Sequence, residues 1–352
     1  MTRVIEFIIS LLIVAALFFG IGLLLPSKRT LSHSVETNRP MATTFDVLNG
    51  FARFNDWNQL RKYDPRMTMT LSGPAMGVGA KMSYVSNDRA VGSGTWEIIE
   101  SEPGEMIRYK IIDSARGDNK TMTFRFERTG PNNRNVKITQ RYSVTYGFDM
   151  LGRYAGMYVT RNVGDEVRRG LGKLSNLLAT VPRLDYSLHE APFAIVDLPA
   201  IDALVASTAS RRASEDVAQA MTNQMGWINK VMEANGLVSA GPMRIVTTEY
   251  TNESYSFNVV QPVKKIGATD VGAPLQVKVE GPVVYEQQPA GRAVSTEYTG
   301  PWQGLERERQ LVRAWGMVRG ADPKDGPFDE YLVGITNIAA DDAKFRVYWP
   351  IK

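Results

Sequence analysis

The chain has 352 residues, 43% of them hydrophobic and 22% charged, with a formal net charge of +4 and no cysteine. That length is enough for about two globular domains. The lack of cysteine excludes disulfides, thiol nucleophiles and cysteine–zinc sites, and two histidines are too few for a histidine metal cluster. Lysines and arginines are scattered among acids without a basic block, so nucleic acid is not an expected partner.

The first pattern in the chain is residues 7–25, FIISLLIVAALFFGIGLLL, nineteen residues with no charge. As a helix this run is about 28 Å long, close to the thickness of a bilayer's hydrocarbon core. A secretion signal has a shorter apolar region and a small-x-small cleavage site, whereas this run ends in Leu-Leu-Leu-Pro-Ser-Lys. The expectation is an uncleaved anchor over residues 1–30 in a bacterial-type inner membrane, single-pass. A cleaved signal and a buried soluble helix are the rival readings. Arg3 opposes Lys28 and Arg29, so charge does not orient the helix. A short amino-terminal tail favours placing the rest of the chain on the periplasmic side.

Residues 32–38 alternate as an edge strand. A helical pattern follows Pro40, with Phe45, Leu48 and Phe51 on one face. Short strands punctuated by glycines come next. Met82 and Tyr84 alternate, then Trp96 and Ile98, then Ile107, Tyr109 and Ile111. Met122, Phe124 and Phe126 follow, and the last run holds Val136, Ile138, Gln140, Tyr142 and Val144. From about residue 150 to 181 the period changes. Val163, Val167, Leu171, Leu174, Leu178 and Val181 form a long amphipathic stripe. Parity places Trp96 and Glu97 on opposite faces of their strand.

This order, with Pro40, Phe45, Trp57, GPAMGVGA at 73–80, VGSGTWEIIESEP at 91–103 and GLGKL at 170–174, resembles the SRPBCC superfamily of START-like and polyketide-cyclase-like helix-grip proteins over residues 31–182. The resemblance implies an antiparallel sheet wrapped on a long helix, enclosing a cup for a hydrophobic or amphipathic molecule. Tyr84, Trp96, Tyr109 and Tyr142 are the expected ligand-binding side chains, with Gln140 a further polar candidate. The superfamily implies no particular reaction.

A second pattern starts after Pro182. A strand reading over YSLHEAPFAIVDLPA precedes an amphipathic helix with Val217, Met221, Met225, Ile228, Val231 and Met232 on one side and Gly236 as its stop. Two strands follow. The plan then recurs as a strand, a helix carrying Leu311, Val312 and Trp315, and two more strands. GPM at 241–243 matches GPF at 326–328, and NVVQPV at 258–263 matches RVYWPI at 346–351. The repeats run over about 185–263 and 278–352.

Tyr298-Thr299-Gly300-Pro301, Trp315, Gly326-Pro327-Phe328, Tyr331 and the closing VYWPIK resemble the GyrI-like effector-binding domain of AraC-type and MerR-type regulators, over 183–352. That resemblance implies a groove with aromatic walls and an acid on the hairpin strand. Here Asp329 takes the acid's position and Glu330 falls on the other strand face, where a solvated acid is expected. Trp315, Tyr298, Asp329 and Tyr331 are the expected groove residues. If the groove is catalytic, Asp329, Glu330 and Tyr331 are the candidates. His33 and His189 read as solvated surface imidazoles.

The expected class is therefore α+β, with a membrane helix, a helix-grip domain and a duplicated strand-helix-hairpin domain. The expected function is binding of a small hydrophobic, amphipathic or aromatic ligand, with membrane contact through residues 7–25 and no cofactor or metal. A hydrolase or cyclase acting on such a ligand, and a protein-interaction scaffold, are the alternatives.

Overall fold

The computed structural model describes residues 2–89, 91–267, 274–324 and 326–352. It divides into two compact units, Met1–Arg183 and Leu184–Lys352. The chain is α+β, with antiparallel sheets, long helices and an apolar amino-terminal helix.

The first unit begins with α1 (Thr2–Leu24), whose apolar side chains are almost all exposed. Strand β1 (Lys28–Thr37) follows, then three short helices, α2 (Met41–Asp46), α3 (Phe54–Trp57) and α4 (Leu60–Tyr63). The meander β2 (Thr68–Ser72), β3 (Lys81–Val85), β4 (Ser93–Glu102), β5 (Met106–Asp113), β6 (Asp118–Thr129) and β7 (Asn135–Thr145) completes a seven-stranded sheet in the order β1-β7-β6-β5-β4-β3-β2. All pairings are antiparallel, and β1 returns to pair with β7 from Lys28↔Thr145 to Thr37↔Val136. Helix α5 (Met150–Ala155), a single 3-10 turn and α6 (Val159–Thr180) close the unit.

Period-2 alternation builds this sheet. Met82, Tyr84, Trp96, Ile98, Tyr109, Ile111, Met122, Phe124 and Ile138 are buried inward, while Glu97 turns outward toward Lys81. The face they form is covered by α6 through Val167, Leu171, Leu174 and Leu178. Its middle is filled by aromatic rings meeting edge to face: Phe54 with Trp96, Trp57 with Phe124 and Trp96 with Tyr109.

The second unit comprises β8 (Ala194–Leu198), β9 (Ile201–Arg211), α7 (Ser214–Asn235), β10 (Leu237–Ser239), β11 (Arg244–Tyr250), β12 (Ser254–Lys265), β13 (Val283–Gln288), β14 (Gly291–Thr299), α8 (Leu305–Val318), β15 (Phe328–Tyr331) and β16 (Lys344–Ile351). One sheet runs β13-β9-β12-β11-β15-β16-β14-β8, with β10 beside β12. The order is a pseudo-symmetric pair of halves meeting at β11 and β15. The outermost strands are exchanged: β8, which precedes β9, pairs with β14, and β13, which precedes β14, pairs with β9. Helix α7 stops at Gly236, which is left-handed with φ 62°. Helices α7 and α8 contribute to a single core against one sheet face. Smaller clusters, one of Ala293, Phe328 and Tyr348, sit on the other face. Strands β9, β10 and β13 have no counterpart in the expected element order.

Candidate functional site

In the first unit the sheet and α6 enclose a cavity of about 200 Å³. Its strand wall carries Tyr84, Trp96, Ile111, Met122, Gln140 and Tyr142. Its helical wall carries Val163, Glu166, Val167 and Gly170, and residues 57–60 with Tyr63 close the side. Gly94 stands opposite Tyr84 across β3 and β4, and a Cβ there would come within 2.7 Å of the Tyr84 hydroxyl. The bare backbone thus lets the phenol lie across β4 into the wall.

The polar groups fall into two sets. In the first, Tyr63 and Asp113 have partners and two further phenols are held protonated. Tyr63 donates to Glu166 at the rim, and that bond, with burial, pushes its phenol up to about 12. Burial pushes the Tyr84 phenol up to about 12, with Asp113 adding to the effect. Burial likewise raises Tyr142, so these phenols stay protonated donors across the physiological range. Asp113 is paired with the buried Lys120, whose Nζ also donates to the Ala115 carbonyl.

The second set is unanswered. Trp57 Nε1, Gln59 Nε2 and Gln140 Oε1 are buried and have no hydrogen-bond partner among the described residues, and all three residues line the cavity. Gln140 Nε2 donates to Met122 Sδ at 3.2 Å, which leaves its carbonyl oxygen free. Buried polar atoms are nearly always paired, so three orphans among the lining residues of one cavity are unusual.

The second unit holds a more open groove of about 720 Å³ on the sheet face opposite α7 and α8. Its floor carries Glu330, which is 5% exposed. Arg244 donates to Oε1 from Nη2 at 3.0 Å and from Nε at 3.2 Å. Arg346 Nη1 at 3.3 Å and the Tyr348 hydroxyl at 3.1 Å serve Oε2. Both oxygens are therefore occupied by donors.

These positions correct the expected groove. Asp329 and Tyr331 do share a strand face, but that face is the core beneath α8. Asp329 is fully buried and paired with Arg309 of α8, whose Nη2 also donates to the Tyr255 hydroxyl. Burial opposes the Arg309 charge, but Asp329, together with Tyr255 and Glu306, more than offsets this and holds the guanidinium above its ordinary range. Trp315 is not an open wall: Phe193 stacks on it at 5.7 Å and Arg319 lies 4.3 Å from its ring centre. Tyr298 donates to the Pro301 carbonyl and stacks on Phe345. Glu330 is the acid at the groove rather than a solvated one.

In the first unit Tyr84, Trp96 and Tyr142 line the cavity as expected. Tyr109 does not, because it is fully buried and its hydroxyl donates to the Leu48 carbonyl. His189 is not a solvated imidazole: its Nε2 lies 3.0 Å from Thr296 Oγ1 and its Nδ1 3.2 Å from Glu308. No residue pattern marks Trp57 and Gln59 as wall residues, since they sit in a short irregular helical stretch. Gln140 was detectable as a polar residue at an inward position of an apolar strand.

Residues 28–179 match the family model described as polyketide cyclase / dehydrase and lipid transport. No curated protein matches the chain. The chain is similar to the crystal structure of the EcmrR C-terminal domain at 18% identity, over 46% of this chain and 98% of that one, with a TM-score of 0.37. It is also similar to a truncated norcoclaurine synthase from Thalictrum flavum at 12% identity, over 44% of this chain and 96% of that one, with a TM-score of 0.34.

Proposed function

We propose that this protein is a membrane-tethered binder of a small amphipathic molecule, held in the cavity of the first unit. The observation that carries the reading is the set of three orphaned polar atoms, Trp57 Nε1, Gln59 Nε2 and Gln140 Oε1, in a largely aromatic and aliphatic wall. Each buried, unpaired polar group costs about 1–3 kcal/mol. A ligand with an apolar body and a polar end that accepts from Trp57 and Gln59 and donates to Gln140 recovers that cost on binding. The family description over residues 28–179, which includes lipid transport, supports the same ligand class.

In this reading residues 31–182 are the helix-grip domain and residues 183–352 a GyrI-like effector-binding domain of two repeats. Residues 1–30 are the anchor, with both domains on the periplasmic side. Binding is preferred to hydrolysis in the second domain because Asp329 faces the core and Glu330 is bonded through both oxygens. A general base needs a free lone pair facing its substrate.

The test is native mass spectrometry and solvent extraction of the purified full chain, followed by thermal shift with a panel of single-chain amphipaths. A bound species, or a rise in Tm that Gln140→Leu reduces, is the expected result. No bound species and no shift across the panel would overturn the proposal.

A further inference from the structure

Among the described residues, Arg3–Leu24 is the one helix long and apolar enough to cross a membrane. Its contacts with the rest of its unit come from a short stretch after the sheet. Tyr154 of α5 stacks on Phe18 with ring centres 4.8 Å apart, and its hydroxyl donates to the Phe18 carbonyl at 2.8 Å. Phe18 lies six residues before Leu24, about 9 Å back along the helix axis. Arg153, itself buried, donates to the carbonyls of Gly22, Leu23 and Leu25 at 3.0–3.2 Å. It thereby answers terminal carbonyls that have no partner within the helix, and its charge complements the helix's negative end. Gly22 permits this approach, since a Cβ there would lie 3.0 Å from Met150 Sδ.

The same stretch exposes Phe148 (86%), Leu151 (54%), Met157 (53%) and Tyr158 (61%). Exposed Lys28 follows α1 in sequence, and exposed Arg161 follows this stretch.

The geometry points to residues 148–158 as a second membrane contact: an apolar foot that lies in the headgroup–acyl boundary beside the anchor. The inference rests on the reading of α1 as a membrane span. If α1 crosses the bilayer, a ring stacked about 9 Å back from its end sits at the depth where tyrosine and tryptophan belts lie. The apolar side chains on the same stretch then reach lipid, and the cations meet headgroups. The foot also sets the direction in which the cavity faces. Strand ends Val85, Asp113 and Thr145 lie at the end of the sheet where α1 joins β1. The wall residues Tyr84, Ile111, Asp113 and Tyr142 are clustered at that end. A ligand dissolved in the outer part of the bilayer therefore meets the cavity without crossing bulk water.

The chain has no cysteine, so single cysteines can be spin-labelled in the full chain without background. Labels at Leu12→Cys, Leu151→Cys, Met157→Cys and Val78→Cys are read by oxygen and nickel accessibility in vesicles of phosphatidylcholine and phosphatidylglycerol. The expected result places Leu12→Cys in the hydrocarbon and Val78→Cys in water. Leu151→Cys and Met157→Cys should lie about 5–10 Å into the interface. If Leu12→Cys is deep while Leu151→Cys and Met157→Cys are as wet as Val78→Cys, the foot is overturned and the tether stands. If Leu12→Cys is itself in water, or is missing from the purified chain by mass, both are overturned.

Discussion

The cavity of the first unit and the groove of the second treat polar atoms in opposite ways. In the groove, Glu330 is met by two arginines and a tyrosine, and Asp329 behind it is met by Arg309. Around the cavity, three side chains each hold a buried donor or acceptor that has no partner among the described residues. A saturated polar cluster stabilises the fold in which it sits and has little left to offer a ligand. An unsaturated one destabilises the empty fold and returns that energy to whatever fills it.

Substitutions can break or sharpen this contrast. Asp329→Ala should act most strongly, because it leaves Arg309 charged and buried, with the partly exposed Glu306 as its remaining counter-charge. The expected loss is about 3–5 kcal/mol in urea unfolding of the second unit, with ligand binding by the first unit retained. Glu330→Ala should cost less, about 1.5–3 kcal/mol by the same measurement, because Arg346 is partly exposed and recovers water. Gln140→Leu should reverse the sign. It removes an orphan, so the empty first unit should keep its stability or gain up to about 1 kcal/mol, while ligand affinity by calorimetry falls about tenfold. If Gln140→Leu destabilises the empty protein as Glu330→Ala does, the contrast fails.

The smallest effect concerns alkaline pH. Tyr63 and Tyr84 are raised to about 12 in the folded state, against 10.0 unperturbed. Their protonated forms are favoured by folding, so this contribution is complete below pH 10 and is lost as pH rises toward 12. The urea midpoint of the first unit should fall across that window, and Tyr63→Phe should make the fall shallower.

Much of the fold was legible because one face of each element is covered and the other is wet. The alternation of β3 to β7 and the stripe of α6 are direct records of that asymmetry. Strand β9 was missed for the converse reason. Residues 202–206 are buried on both sheet faces, so the run Asp-Ala-Leu-Val-Ala shows no period of two. The same cause misdirected the second site. Parity separated Asp329 and Tyr331 from Glu330 correctly, but all four residues of β15 are buried. Nothing in the residue pattern says which face a helix covers and which opens on a groove. In the first unit, Tyr84, Trp96 and Tyr142 were readable from inward parity, whereas Trp57 and Gln59 reach the wall through the irregular chain between α3 and α4.

The exchanged outer strands of the second unit carry a consequence for its synthesis. Strand β8 finds its partner β14 only after about ninety further residues have been made, about 5–20 s at ordinary elongation rates. Even then, β14 joins the remaining strands only through β16, the last described strand of the chain. At the centre of the sheet the two halves are joined by the short β11–β15 pairing, Arg244↔Glu330 to Val246↔Phe328. The earliest strand of the unit, β8, has β14 as its only sheet partner among the described residues, so it waits unpaired until that segment is made.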